Sequence, residues 1–367
     1  MIPLCIPEIR GNELKYVKDC IDTNWVSSVG SYVNLFEEKF SEYVSSKSAV
    51  VTMNGTAALQ LALLTLGIGD GDEVIVPSLT FISPVNTIKY VGAEPVFVDV
   101  CRDTFVMDAD KIEELITSKT KAIMPVHIYG HPVDMVKVMQ IAKKHNLFVI
   151  EDATEALGST CDGKMAGTIG DIGCFSFNGN KLITTGAGGM LVTNNLEYGE
   201  RAKFLSTQTK VVTDNKAFYH SEIGYNMRMP NLLAAFGVAQ LENIKEYLKI
   251  KRENAVYYNE LLGGIKGITL PAERENVENC YWLYSILVED EYGITRDELI
   301  QKLNADKIEA RPFFMPIHDM PPYKGSKHGD LTVTNELYAR GINLPSSVGL
   351  TKEDISKVCE TIKNNID

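Results

Sequence analysis

Phe148-Val149-Ile150-Glu151-Asp152-Ala153-Thr154-Glu155 and, beginning 23 positions after Asp152, Phe175-Ser176-Phe177-Asn178-Gly179-Asn180-Lys181 decide how this chain is read. The first stretch is an apolar strand that runs into carboxylates. In open α/β sheets ligands gather beyond the carboxyl ends of the strands, so Asp152 and Glu155 are placed for a site. Taken singly, such an acid is also an ordinary helix cap. Lys181 lies 29 positions beyond Asp152, after the apolar run CFSF and before the turn Thr184-Thr185-Gly186-Ala187-Gly188-Gly189. Most lysines are solvated surface charges. One held in a desolvated, tightly turned place loses its proton more readily and becomes an amine nucleophile able to form a Schiff base.

Outward from these two stretches, short β-branched runs alternate with amphipathic segments from about Lys47 to Asn194. Strands are expected at Ser48–Met53, Glu73–Pro77, Pro95–Val100, Lys121–His127, Leu147–Glu151 and Gly189–Thr193. Helices are expected at Thr56–Leu66, Asp108–Ile116 and Val133–Asn146, the last with a basic end suited to a helix C-terminus. This alternation predicts an α/β fold with a largely parallel, helix-covered sheet. Asn231–Leu262 reads as a long helical stretch, broken or not, that leaves the sheet. Beyond it come a strand at Trp282–Val288, a helix at Arg296–Leu303, a strand at Glu309–Met315 and a helix at Lys352–Lys363, which make a smaller α+β domain. The division expected is 1–240 for the large domain with its N-terminal segment and 241–367 for the small one.

Asn54-Gly55-Thr56 follows a strand and opens a helix. Free amides, a hydroxyl and the helix dipole there suit a phosphate, although the same residues also make an ordinary turn and N-cap. Together these groups match what pyridoxal phosphate (PLP) demands. A lysine must hold the aldehyde, an acid must keep the pyridine nitrogen protonated, hydroxyls and amides must take the phosphate, and an aromatic must cover the ring. Lys181, Asp152, Ser176 with the Thr56 helix start, and Phe81 can fill those roles in turn.

With these residues in view, the chain resembles the DegT-type nucleotide-sugar aminotransferases, of the aspartate-aminotransferase-like PLP fold type I. The likeness runs from MIPLCIPEIRGNELKYV (1–17) through WVSSVGSYV (25–33), NGTAALQLAL (54–63), GDEVIVPSLTFI, PVFVDV, HIYGHPVDM (127–135), VIEDATEALGS, SFNGNKLITTGAGGM and GYNMRMPN (224–231) to ARPFFMPIH (310–318), nearly the whole chain. It implies Lys181 as the Schiff-base lysine and catalytic residue, Asp152 at the ring nitrogen, Glu155 at the 3-hydroxyl and Phe81 on the ring. Gly55, Thr56 and Ser176 would bind the phosphate. Asn226 would reach the cofactor of a neighbouring subunit, so an obligate homodimer with shared sites is implied. Trp25, Ser27, Asn178, Arg228 and His318 are candidates for the substrate pocket, against plainer readings as packing or loop residues. Glutamate is the implied donor, leaving as 2-oxoglutarate. SFNGNK, Ser206-Thr207-Gln208-Thr209-Lys210 and GYNMRMPN look closest to enzymes acting at C4 of UDP-linked 2-acetamido-4-keto-6-deoxy sugars, which serve bacillosamine and legionaminic acid pathways. Perosamine synthases, which use a GDP-linked 4-keto-6-deoxymannose, are the near neighbours. Ala187 departs from the acidic residue that many relatives carry.

Other features narrow the class. A net charge of −12 argues against a nucleic-acid partner, where basic contacts to phosphate dominate. Seven scattered cysteines without a CxxC pair suggest neither disulfides nor a zinc site, and fit a reducing cytoplasm. No signal peptide or membrane-spanning run is read from the sequence. His127 and His131 have the spacing of a helical metal pair, but Gly130 and Pro132 argue against a helix, so no metal is expected. A PLP-dependent sugar dehydratase of the same fold is disfavoured because such relatives carry histidine where Lys181 stands. A non-catalytic PLP-binding sensor is the rival from another class.

Overall fold

Strands buried on both faces need near-continuous apolar runs, and the sequence supplies seven. The computed structural model describes residues 1–213 and 216–366. Its central sheet contains β1 (Ser48–Thr52), β2 (Glu73–Pro77), β3 (Glu94–Val98), β4 (Thr120–Ile123), β5 (Phe148–Asp152), β6 (Ile172–Ser176) and β7 (Gly189–Thr193). They lie in the order β1-β7-β6-β5-β4-β2-β3. The pairings from β6 through β3 are parallel, and β7 alone runs antiparallel to both of its neighbours. Helices α1 (Glu13–Asp22), α2 (Ser31–Val44), α3 (Gly55–Thr65), α4 (Ile82–Tyr90), α5 (Met135–His145), α6 (Leu196–Ser206) and α7 (Asn231–Glu242) accompany this part of the chain. The expected largely parallel sheet is therefore present, with β6 as a strand that the sequence reading treated only as the apolar run before Lys181.

Two other expectations are corrected. Asp108–Ile116 is not an α-helix but two short 3-10 turns, Ala109–Lys111 and Glu113–Leu115. The chain must enter β4 at Thr120, and a segment this short gains too few bonds to repay helix nucleation. Thr117 instead bonds across to Glu73, its hydroxyl donating at 2.6 Å. Glu309–Met315 pairs only at Arg311–Pro312, because Pro312 and Pro316 have no N–H to extend a ladder. The stretch Asn231–Leu262 is two helices, α7 and α8 (Ile244–Leu262), broken at Asn243, which sits at φ −100 and ψ 0.

The chain beyond α8 builds a second sheet from β8 (Ile268–Thr269), β9 (Tyr284–Val288), β10 (Arg311–Pro312) and β11 (Gly341–Leu344), ordered β8-β9-β11-β10. With it pack α9 (Arg296–Ala305), which opens on a Thr295/Glu298 capping box, α10 (Thr332–Arg340) and α11 (Lys352–Lys363), which opens on a Thr351/Asp354 box. Two buried clusters result. The larger surrounds the seven-stranded sheet and includes Phe36, Phe40, Phe175 and Phe177. The smaller holds Tyr258 and Tyr284, stacked with centroids 4.5 Å apart, with Leu299, Ile355 and, from the far end of the chain, Ile2. Helix α8 serves both, Tyr247 and Leu248 in the first and Ala255, Tyr258 and Leu262 in the second. We propose the domain boundary near residue 240, with α8 as the shared element. No helix among the described residues is long and apolar enough to cross a membrane.

Asn231, at the start of α7, fastens the N-terminal segment to the sheet domain. Its Oδ1 accepts from the Tyr32 and Val33 amides at 3.0 and 3.2 Å, capping α2 from another element. Its Nδ2 donates to Trp25 O at 2.7 Å. Gly30 is required beside it, since a Cβ there would lie 2.3 Å from the Asn231 side chain. Asn231→Ala removes a buried cap and strands several donors and acceptors, so about 2–3 kcal/mol of stability should be lost. We expect the apparent Tm of the full-length chain to fall by about 3–4 °C in calorimetry; an unchanged Tm would refute this role.

Candidate active site

The carboxyl ends of β1, β2, β5 and β6 open onto one cavity of about 630 Å³, closed on the far side by Trp282 and Leu283 just ahead of β9, by β10 and the residues after it, and by Asn343 of β11. Each strand hands its chain to a loop or helix start, and those starts carry the polar side chains. After β1, Asn54 caps α3, its Oδ1 accepting from Ala57 N at 2.8 Å. The amides of Gly55 and Thr56 in that first turn have no intrahelical acceptor. Gly55 presses against β6, where a Cβ would meet the Ser176 Cβ at 2.9 Å and Thr154 Cγ2 at 3.1 Å. Thr56 Oγ1 and Ser83 Oγ are 2.8 Å apart, with Ser176 facing the same cavity. Two free amides, a helix dipole and three hydroxyls make a cradle for a phosphate.

Asp152 ends β5 and is buried, its Oδ1 accepting from Thr154 N at 3.0 Å. Burial raises its carboxyl pKa above the usual range, against the pull of the Thr154 hydrogen bonds and of Lys181. Glu155, also buried, is raised by burial and lowered in turn by Lys181. Glu155 Oε2 accepts from Tyr129 N at 2.9 Å, while its Oε1 accepts from Lys181 Nζ at 3.4 Å. Lys181 is only 13% exposed, and its Nζ lies 3.8 Å from the centroid of the Trp282 ring. Phe81, just ahead of α4, lines the cavity with half its surface free, its ring edge-on to Phe314 at 5.7 Å.

Of the residues singled out in the sequence, the cavity wall therefore brings together Gly55, Thr56, Phe81, Asp152, Glu155, Ser176, Asn178 and Lys181. It does not include Trp25, Ser27, Asn226, Arg228 or His318. Trp25 is 56% exposed, and Ser27 O accepts from Asn231 N at 2.7 Å. Arg228 Nε donates to Asn226 Oδ1 at 3.2 Å. His318 Nδ1 lies 2.7 Å from Ser78 Oγ, and burial lowers its pKa. In HIYGHP, His127 spends both ring nitrogens internally, on Glu151 Oε2 and the Val133 amide, each at 3.0 Å. Burial pushes His131 down to about 4.

Several wall residues were missed. Trp282, Arg311 and Phe314 come from the distant second sheet and its flanks; Arg311 and Phe314 lie in ARPFFMPIH, where only His318 was singled out, and Trp282 stands in no motif. Tyr129, behind the wall rather than in it, had a usable signal. HIYGHP, a segment of the family likeness whose two histidines were weighed for metal, bends through φ 56 at Tyr129 and φ 110 at Gly130 to aim the Tyr129 amide at Glu155.

The donor set fits PLP. The cradle at α3 and Ser176 would hold its phosphate, Asp152 would face the ring nitrogen, and Glu155 would face the ring oxygen. A buried acid with a raised pKa is stabilised by a cationic partner, which a protonated pyridine provides. Lys181 would reach the aldehyde carbon, and Phe81 would lie on the ring.

Comparison with known proteins agrees with this geometry. The chain is 46% identical to a GDP-perosamine synthase of Escherichia coli O157:H7 over 98% of this chain and 97% of that one. It is 44% identical to a GDP-perosamine synthase of Caulobacter vibrioides over 97% and 96%. A UDP-N-acetyl-3-dehydro-alpha-D-glucosamine 3-aminotransferase of Acidithiobacillus ferrooxidans is 36% identical over 85% and 83%. Among solved structures, a Streptococcus pneumoniae chain in its PLP form superposes with a TM-score of 0.93 at 29% identity, covering 99% of this chain and 98% of that one. The DegT/DnrJ/EryC1/StrS aminotransferase family model matches residues 7–363. The chain belongs to that family, as a PLP-dependent nucleotide-sugar aminotransferase of PLP fold type I.

Proposed function

We propose that the chain transfers an amino group from glutamate to C4 of GDP-linked 4-keto-6-deoxymannose, giving GDP-perosamine. One observation carries this reading: the 46% and 44% identities to perosamine synthases extend over practically the whole of both chains. The UDP-linked 4-keto sugar favoured by the sequence motifs has less support, since the relative named for a UDP sugar is at 36% and covers less of the chain.

In this reading Lys181 is the catalytic residue and carries the cofactor. Bound PLP supplies an aldehyde that bonds covalently to an amine and a ring that spreads the charge left when a neighbouring C–H bond breaks. Lys181 Nζ takes the proton from the donor α-carbon and, in the second half-reaction, delivers a proton to C4 of the sugar. Asp152 holds the ring nitrogen protonated, and Glu155 keeps the Lys181 amine oriented between turnovers. Asn178, an exposed residue of the cavity wall, is placed to meet the substrate.

Asn226, Arg228, Trp25, Ser27 and His318 lie outside the cavity wall of their own chain. We propose that they complete the site of a second copy in a homodimer, where the arginine meets substrate anions. Free thiols at all seven cysteines support a reducing, cytoplasmic setting for the enzyme. A surface polysaccharide such as an O-antigen is the destination in keeping with the sugar.

Two outcomes are expected. Charged with glutamate, the enzyme should turn over the GDP-linked 4-keto-6-deoxy sugar with a kcat/KM at least about tenfold above that for UDP-linked 4-keto sugars, a modest margin for a polar recognition difference. Equal or reversed preference, read by chromatography of the amino-sugar products, would sink the GDP assignment. Lys181→Ala should still bind PLP through the phosphate cradle and Asp152, yet lose about a thousandfold or more in turnover. Substantial transamination by that variant would remove Lys181 from its role.

A further inference from the structure

Trp282 has an unusual set of partners for a core tryptophan. It is 4% exposed, at the start of the second sheet, and its ring faces the cavity. Its Nε1–H donates to Asn180 O at 2.7 Å, and the next residue in the chain is Lys181, whose Nζ sits over the same ring. Its own carbonyl accepts from Lys251 Nζ at 2.9 Å. Lys251 is buried on α8 and also donates to Ser346 O, so its ammonium is spent on two main-chain oxygens. Gly130 closes on the other side, where a Cβ would come within 2.9 Å of Trp282 N. The indole is therefore clamped through its carbonyl, its ring N–H and its backbone, while one face is left to the Lys181 amine.

We infer that Trp282 is a positioning residue for Lys181: its indole face seats the free Lys181 amine as an ammonium, and its ring N–H fixes the Asn180 carbonyl beside it. The inference rests on Lys181 being the cofactor lysine. When the donor amine takes over the cofactor, Lys181 is released on a flexible four-carbon stem. It must stay close to the reacting carbon and hold the proton that it removes. Glu155 at 3.4 Å and the indole at 3.8 Å define that place between them. A desolvated ammonium over an indole is stabilised relative to the neutral amine.

The charged and titratable groups around this amine are Glu155, Asp152 at the end of β5, Cys5 of the N-terminal segment and Arg311 in the same cavity wall, with Lys251 behind the Trp282 carbonyl. None of these is altered by substitution at 282, so a shift in Lys181 titration there reports the ring. The test is competitive acylation of the full-length, cofactor-stripped chain by acetic anhydride across pH, with mapping of the Lys181 peptide. The neutral amine reacts. Trp282→Leu removes stabilisation of the ammonium, so the Lys181 midpoint should move to lower pH by about one unit. Below the midpoint, labelling should be faster by about tenfold. Trp282→Phe retains an aromatic face and should stay near the native midpoint. In the holoenzyme, Trp282→Leu should slow the glutamate half-reaction by about three- to thirtyfold. Borohydride fixation of PLP separates the two ways to fail. Fixation at Lys181 with an unmoved midpoint in Trp282→Leu overturns the positioning role alone. Fixation at another lysine overturns the Lys181 assignment and this inference with it. A measurement that leaves residue 282 untouched guards against misfolding of the variants. In a Trp25→Phe chain, Trp282 is the sole tryptophan. Its emission should change with pH at the Lys181 labelling midpoint, and Lys181→Met should abolish that step. The same curve with and without Lys181 would overturn the proposal.

Discussion

Two carboxylates, Asp152 and Glu155, are buried three positions apart on the chain, and the amine of Lys181 shares their cavity. Burial disfavours the charge on both acids. Such a cluster persists only if the surrounding structure supplies hydrogen bonds and opposite charge. The rest of the site is arranged around that need. Thr154 N serves Asp152, Tyr129 N serves Glu155, and the loop after β6 brings the lysine. A protonated pyridine ring would add the missing cation, so the polar design of this cavity and the chemistry of PLP answer the same electrostatic problem.

What could be read from the sequence was what is encoded locally. The strand FVIEDA, the cap at Asn54, the Gly-rich turn after Lys181 and the capped helices α9 and α11 each carry their signal within a few residues. Their boundaries were read within a few residues of where the structure puts them. The segment Asp108–Ile116 misled because its apolar spacing suits a helix, while the tether of Thr117 to Glu73, 44 positions away, is invisible in a local window. β11 was missed altogether, although it lies between β9 and β10 in the second sheet. Four residues ending in a proline turn offer little period to detect.

The site divides in the same way. Residues that follow strands of the first sheet were found from their position, from what PLP demands and from the family likeness together. Trp282, Arg311 and Phe314 reach the cavity from beyond α8, and their presence depends on how the second sheet docks. Residues of the Trp25 and Asn226 segments were singled out, yet a single chain leaves them outside its own cavity wall. Sequence motifs register that a residue matters before they say where it acts.

Helix α8 has a mechanical consequence. It spans 19 residues, about 28 Å at the rise of an α-helix, and feeds side chains into both buried clusters. Neither cluster can melt without stripping one face of that rod, so damage on one side is felt on the other. The reactive lysine and the wall that faces it are thereby kept in fixed alignment by a girder rather than by a hinge.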